Sequence, residues 1–335
     1  MRILRHPLFI GALLSLLIAC GTALWRNRRL PVPLQSLFDK LEGKSLDLRF
    51  LLRGPEPVDE RIAIVAFDDK TMEQRPDLQA KRDGWSEVLA ALGRARPKVV
   101  GVDAFFSEEE RLLSQELQSD LDAYFAANPE PAGPVYALLA RIVHETKGDE
   151  RLAQTIADLG KVVLALHLGM GREVALADPA LSKGKVGQSM PGRHPPPRAS
   201  WGMASLPQFN AAAAALGVIT VQEGDSGVLR ELIMARSYGR GVFLPMSVQL
   251  VAKFRGLSKG RLAYLGLGAR PALRIGEQRL ELEPWASMLL NWRGPAGLYP
   301  TYSAADLVAG RVDPTLLVDR IVLLGVSYFG HDSTR

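Results

Sequence analysis

The chain has 335 residues, 47% of them hydrophobic and 23% charged, a balance that fits a folded protein and excludes a disordered one. Its formal net charge is +5, but Lys and Arg are scattered and do not form a stripe interleaved with aromatics, so nucleic acid is not an expected partner. Cys20 is the single cysteine, which excludes a disulfide framework and a thiolate metal site in the rest of the chain.

Arg2, Arg5 and His6 precede an uncharged run from Leu8 to Trp25. As a helix that run reaches roughly 27 Å, close to the thickness of a bilayer core. It reads as an uncleaved transmembrane anchor or as a secretory signal segment over residues 1–30. Leu17-Ile18-Ala19-Cys20 also resembles a lipoprotein cleavage box, with Cys20 as the lipidated residue. Either way residues 31–335 are expected to be exported, as one extracytoplasmic domain.

Pro31 to Leu52 reads as a linker and an amphipathic helix, interrupted at Gly43 and followed by the breaker Gly54-Pro55-Glu56-Pro57. Arg61 to Asp69 and Lys98 to Phe106 are Val/Ile/Phe-rich runs, the composition of strands buried on both faces. Between them Trp85, Val88, Leu89, Leu92 and Ala95 recur at helical spacing, with Asp83 as a cap and Pro97 as a stop. This predicts a strand–helix–strand crossover with parallel strands.

Further on, helices are expected over Glu108–Phe125, Val135–Lys147 and Asp149–Leu159, then a buried strand over Lys161–Leu168. Residues 178–200 are poor in apolar side chains and read as a flexible, exposed loop. A short helix over Phe209–Leu216 leads to a strand over Gly217–Val221, with Val228–Ser237 as its hairpin partner across Gly224-Asp225-Ser226-Gly227. The remaining expectations are a helix over Leu244–Phe254, a hairpin about Gly276, a strand over Ser287–Trp292, a helix capped by Ser303 and a last strand over Arg320–Val326. The fold class is therefore α/β, with a mixed, partly parallel sheet flanked by helices and an N-terminal membrane segment.

Asp68, Asp69 and Asp103 fall at the carboxyl end of the two leading strands, the edge where ligands sit in open α/β sheets. Clustered carboxylates suit Mg²⁺, so a Mg²⁺-dependent phosphotransfer or hydrolase site on these three acids is one reading. The other has them capping helices or pairing with Arg and Lys. The five histidines are not spaced as helix-face ligands, which leaves no zinc site to expect. His167, in an apolar strand, reads as a core histidine. Gly224-Asp-Ser-Gly227 lacks convincing histidine and aspartate partners and reads as a turn rather than a nucleophile loop. Neither a Walker-type nor a dinucleotide glycine loop occurs.

The order of several stretches resembles the CHASE-type extracellular sensory domains of bacterial receptors, second subtype. Phe38-Asp39 and Asp47-Leu-Arg49 resemble the family's leading helix. Arg61 to Asp69 and Lys98 to Glu108 resemble its first two strands. Asp149 to Ala153, Lys161 to Ala165, Leu216 to Thr220 and Asp225 to Arg230 follow in the same order. Asn291-Trp-Arg-Gly-Pro295, Tyr299 to Asp306 and Arg320 to Gly325 resemble its C-terminal core.

The resemblance implies a ligand-sensing input domain without catalysis or cofactor of its own, of the type coupled to a nucleotide cyclase or protein kinase output. It implies a periplasmic location on the inner membrane, a small-molecule or protein ligand, and a homodimer. Asp68, Asp69 and Asp103 are the leading ligand-binding candidates, with Asn291 and Arg293, ahead of a Gly-Pro turn, as the second rank.

Overall fold

The computed structural model describes residues 7–26, 30–110, 113–128, 138–140, 142, 146–171, 179–188, 192–221 and 227–327. The Val135–Lys147 helix lies largely outside the described residues. So does the turn around Gly224, and so do His6, His144 and His331. The chain divides into two compact units.

The larger unit comprises Val58–Gln222, Glu231–Leu290 and Ala296–Arg335. Strand β1 (Ile62–Phe67) leads into α3 (Asp69–Gln74), α4 (Asp77–Ala80) and α5 (Arg82–Ala95); helices α1 and α2 belong to the other unit. Next come β2 (Val99–Val102), α6 (Gln115–Ala127), α7 (Gly148–Leu159) and β3 (Val162–Gly169). After β4 (Lys185–Gln188) and β5 (Trp201–Ala204), α8 (Pro207–Ala212) precedes β6 (Ala215–Val218). Strands β7 (Glu231–Ile233), β8 (Arg236–Tyr238) and β9 (Gly241–Phe243) lead to α9 (Met246–Phe254). The run ends with β10 (Leu262–Leu265), β11 (Ala272–Ile275), β12 (Gln278–Glu281), β13 (Ser287–Leu289), β14 (Thr301–Ser303), α10 (Ala304–Val308) and β15 (Ile321–Val326).

Seven strands form the main sheet, in the order β14-β1-β15-β2-β3, with β5 and β6 both paired to β3. All of its pairings are parallel except β3 with β5. Leu166 pairs with both Ala204 and Val218, so β5 and β6 lie on opposite edges of β3. The two leading strands are parallel as expected, but they are not neighbours. β15 lies between them, pairing Ile62–Phe67 on one side and Val99–Val102 on the other. Two strands of matching composition give no signal of a third arriving more than two hundred residues later.

The unbroken apolar runs follow from burial on both faces. Along β3, Val162, Leu164, Leu166 and Leu168 turn to the core shared with α5 and α7, while Val163 and Ala165 turn to the core shared with α9. On the first face Phe67, Trp85, Phe106 and Phe209 form a chain of rings with centroids 4.4, 5.1 and 5.4 Å apart. Each such ring is worth about 1.5–3 kcal/mol of burial. Helix α9 divides its sides by the helical period. Met246 and Leu250 meet the main sheet, and Val248 and Ala252 meet a second core with Leu262, Leu273 and Leu282.

Several local expectations shift. Asp83 does not cap α5: the helix begins at Arg82, and Asp83 pairs with Arg151 at 2.6 Å. The stretch expected to start a hairpin near Gly217 instead pairs parallel with β3, because its apolar residues are needed in the central sheet. The segment expected to partner it is split, β7 pairing with β13 and β8 with β9. Within residues 178–200, Pro179–Lys183 forms a 3-10 turn and β4 pairs with β9. The hairpin about Gly276 is present, with φ of 64° at that glycine.

The smaller unit comprises Met1–Pro57, Glu223–Arg230 and Asn291–Pro295. Helix α1 (Pro7–Arg26) carries no charge before its final Arg26, and α2 (Val32–Arg53) runs through Gly43 without a break. The Trp25 indole donates to Asp39 at 2.7 Å, and its ring lies 6.1 Å from that of Phe38. Among the described residues no helix is long and apolar enough to cross a membrane, so the expected spanning segment is not established by this fold.

Gly84 allows α4 and α5 to meet: a Cβ there would stand 2.3 Å from the Leu78 Cα and 2.4 Å from its carbonyl oxygen. Backbone atoms cannot swing aside as side-chain tips do. Gly84→Ala is expected to destabilise by about 1–3 kcal/mol in urea unfolding. Gly260→Ala, with nothing near its Cβ position, is expected to stay within about 0.5 kcal/mol.

Candidate functional site

The carboxyl ends of β1, β14, β15 and β2 share one edge of the sheet, because these strands are parallel. Asp68 follows β1 and caps α3. Its Oδ1 accepts from the Thr71 amide at 2.9 Å, the Thr71 hydroxyl at 2.7 Å and the Ser303 hydroxyl at 2.7 Å. Thr71 is fully buried, and its hydroxyl also accepts from the Ala305 amide at 3.2 Å. Ser303, expected to cap α10, makes no cap bond of its own and serves Asp68 instead. Burial alone would raise the Asp68 pKa, but the bonds from Thr71 and Ser303 outweigh it and hold the carboxyl below the usual range.

Asp69 is exposed in the first turn of α3. Asp103 follows β2, with its amide donating to the Leu324 carbonyl at 2.9 Å and its Cβ beside Gly325. Asp68 and Asp103 therefore follow strands that flank β15. Among the described residues no group of three or more His, Cys, Asp or Glu side chains could hold a metal ion. The strands that lead into Asp68 and Asp103 are one position further apart than adjacent strands would be, and one oxygen of Asp68 serves the cap.

Asn291 and Arg293 belong to the smaller unit, where Asn291 binds the end of α2 and Arg293 the segment just after it. Asn291 Oδ1 accepts from Arg53 Nη1, the Trp292 carbonyl accepts from Arg53 Nη2, and Arg293 pairs with Glu56. The Trp292 indole donates to the Leu229 carbonyl at 2.9 Å. Arg230 closes the same arrangement with a two-pronged contact to Asp47, Nε to Oδ1 at 2.9 Å and Nη2 to Oδ2 at 2.6 Å. Its guanidinium packs closely on Gly43, where a Cβ would stand 3.3 Å from Cζ. Hydrogen bonding to Arg230 lowers the Asp47 pKa. These contacts, from segments far apart in sequence, make residues 291–293 a clasp on the helix. Cys20 is exposed on α1.

Two features had no sequence signal. Arg236 is only 2% exposed, and its Nε and Nη2 have no hydrogen-bond partner among the described residues. Burial pushes its pKa down. The nearby His167, half-buried with its ring 4.6 Å from that of Trp201, is also lowered, first by burial and then by the charge of Arg236. The second is a cavity of about 230 Å³ with lysines in its wall. None of the five sequence candidates lines it. Its residues come from three stretches, 182–183, 214–215 and 249–262, so no local pattern could have grouped them.

Two measurements follow from these contacts. Asp68→Ala is expected to cost about 1–2 kcal/mol through the lost cap. Because the folded pKa of Asp68 is depressed, its stabilisation is present above the unfolded value of about 3.9 and lost as pH falls through the folded value. The variant should therefore show a flatter acid limb in stability against pH. Arg236→Met removes a buried guanidinium, two of whose nitrogens have no partner among the described residues, and is expected to raise the melting temperature of the ligand-free protein; a lower one would mean that the charge has a stabilising partner.

The sequence profile of the CHASE2 domain family matches residues 16–335. No curated protein and no solved structure matches the chain. CHASE2 domains are extracellular sensory domains. The matched span takes in most of α1, the α2 clasp and the whole parallel sheet, and this chain belongs to the CHASE2 domain family.

Proposed function

We propose that the chain is the extracytoplasmic, ligand-sensing input of a bacterial inner-membrane receptor, held at the membrane by α1 and paired with a second copy through α2. The type of output that fits is a nucleotide cyclase or protein kinase. The observation that carries the reading is the division of α2 into two sides. At about 100° per residue, Leu34, Leu41 and Leu48 stack on one side at seven-residue intervals, with Leu37 and Leu52 beside them. Gly43 and Asp47, against Arg230, lie on the other. No residue of α2 is buried, and Leu34, Leu37, Leu41, Leu48 and Leu52 are all exposed. A heptad stripe of this kind is the pattern by which two helices pack as a coiled coil.

The clasp supplies a route for a signal. Arg230 immediately precedes β7 and Asn291 follows β13, and those two strands pair with each other. A ligand that binds two arrangements of the domain unequally would shift their populations, and the clasp residues would pass the change to α2. Uncharged α1 fits the membrane end of this arrangement, either as an anchor or as the segment that presents Cys20 for lipidation.

Location and pairing have separate tests. A C-terminal alkaline phosphatase fusion is expected to be active; a stable but inactive fusion would overturn the export of the domain. In light scattering of the detergent-solubilised chain, Leu41→Asp with Leu48→Asp is expected to convert a dimer to a monomer. A dimer that survives both charges would remove α2 as the pairing surface.

A further inference from the structure

The cavity of the larger unit combines three features. It is lined by Lys183, Lys253, Lys259 and Gln249, it has apolar residues such as Leu257 and Leu262 in the same lining, and no Asp or Glu lines it. Several other cations of this unit have carboxylate partners: Lys70 with Asp306, Arg75 with Asp77 and Glu87, Arg82 with Asp149. Two of the cavity lysines bond to carbonyls. Lys183 Nζ donates to the Ala211 carbonyl and, at 2.7 Å, to that of Ala213; Lys259 Nζ donates to the Ser182 carbonyl. An ammonium has three N–H donors, so these bonds fix both heads and leave each with donors to spare.

Capping the end of α8 explains Lys183 on structural grounds. It does not explain why Lys253 and Lys259 face the same hollow. Burial, and then the charge of Lys185, pushes the Lys259 pKa down. Lys185 adds a like charge to Lys259 from outside the cavity lining, and Gln249, 3% exposed, is among the lining residues. A bound anion would offset the positive charge gathered here and use the spare N–H groups.

We propose that this cavity binds a small organic anion, a carboxylate or phosphate head on a short apolar body, with Lys253 and Lys259 holding the head and Leu257 and Leu262 the body. The cavity volume limits the body to a few carbons. Anion binding here names a ligand chemistry for the proposed sensor; only its signalling purpose rests on that reading, because binding is measured without reference to export or pairing.

The test is titration calorimetry of the detergent-solubilised full chain with succinate, with glycerol 3-phosphate and with inorganic phosphate, against sodium chloride at matched ionic strength. Saturable binding of succinate or glycerol 3-phosphate is expected, weakening as salt rises. Lys253→Gln and Lys259→Gln should each lower the affinity at least tenfold, and Lys253→Arg should lower it less. Lys70→Gln, remote from the cavity and paired with Asp306, should leave it unchanged. Melting curves establish that the variants are folded. Binding of inorganic phosphate alone would overturn the organic body, and the site falls if no probe binds at millimolar concentration or if the Gln variants bind as the parent does. None of these outcomes touches the fusion or dimer measurements, so the cavity and the sensor reading can fail separately.

Discussion

The fold depends on a strand that arrives late. β15 fills the gap between β1 and β2, accepting the Lys98 amide at the Arg320 carbonyl and donating from Ser327 to the Phe67 carbonyl at its far end. Without it the two leading strands have no hydrogen-bonded contact with each other, and the sheet is cut in two. Its register places Val322 and Leu324 in the core of one face, and Ile321 and Leu323 in the core of the other. A pairing between such distant residues is costly in chain entropy, which makes slow folding the expected behaviour of this topology.

That sheet also decides what its edge can do. Three acids at strand ends look like a ligand site when only strand composition is considered. Placed in the fold, Asp68 is an anchor: it ties α3 to the start of α10 through Thr71 and Ser303. Lys70 and Arg311 add a second tie, both pairing with Asp306. The carboxyl edge of this sheet is braced by polar bonds among its own loops. Among the described residues, cationic groups without a carboxylate beside them stand elsewhere, at Arg236 and in the lining of the cavity.

What was legible in the sequence was what burial writes locally. Lys161–Leu168 reads as a buried strand because both of its faces are covered, and the Trp85–Arg96 helix shows because one face meets a sheet. The order of quoted stretches also identified the family. Strand neighbours were not legible: Gly217–Val221 carries no mark that it pairs with β3 rather than with the next segment. The clasp was half visible. Asp47, Arg230, Asn291 and Arg293 all stood out, yet single residues about two hundred positions apart do not announce that they belong to one clasp. Ser182-Lys-Gly-Lys read as loop because its meaning lies in Lys253 and Lys259, which only the folded chain brings near.

β14 closes one side of the main sheet and contains only three residues, Thr301–Ser303. It runs directly into α10, which turns the chain away from the sheet. An exposed row of unpaired amides and carbonyls invites a strand from another molecule, and a short row offers little to bind. With only three residues at this edge, the sheet is poorly suited to extension by a strand from another molecule.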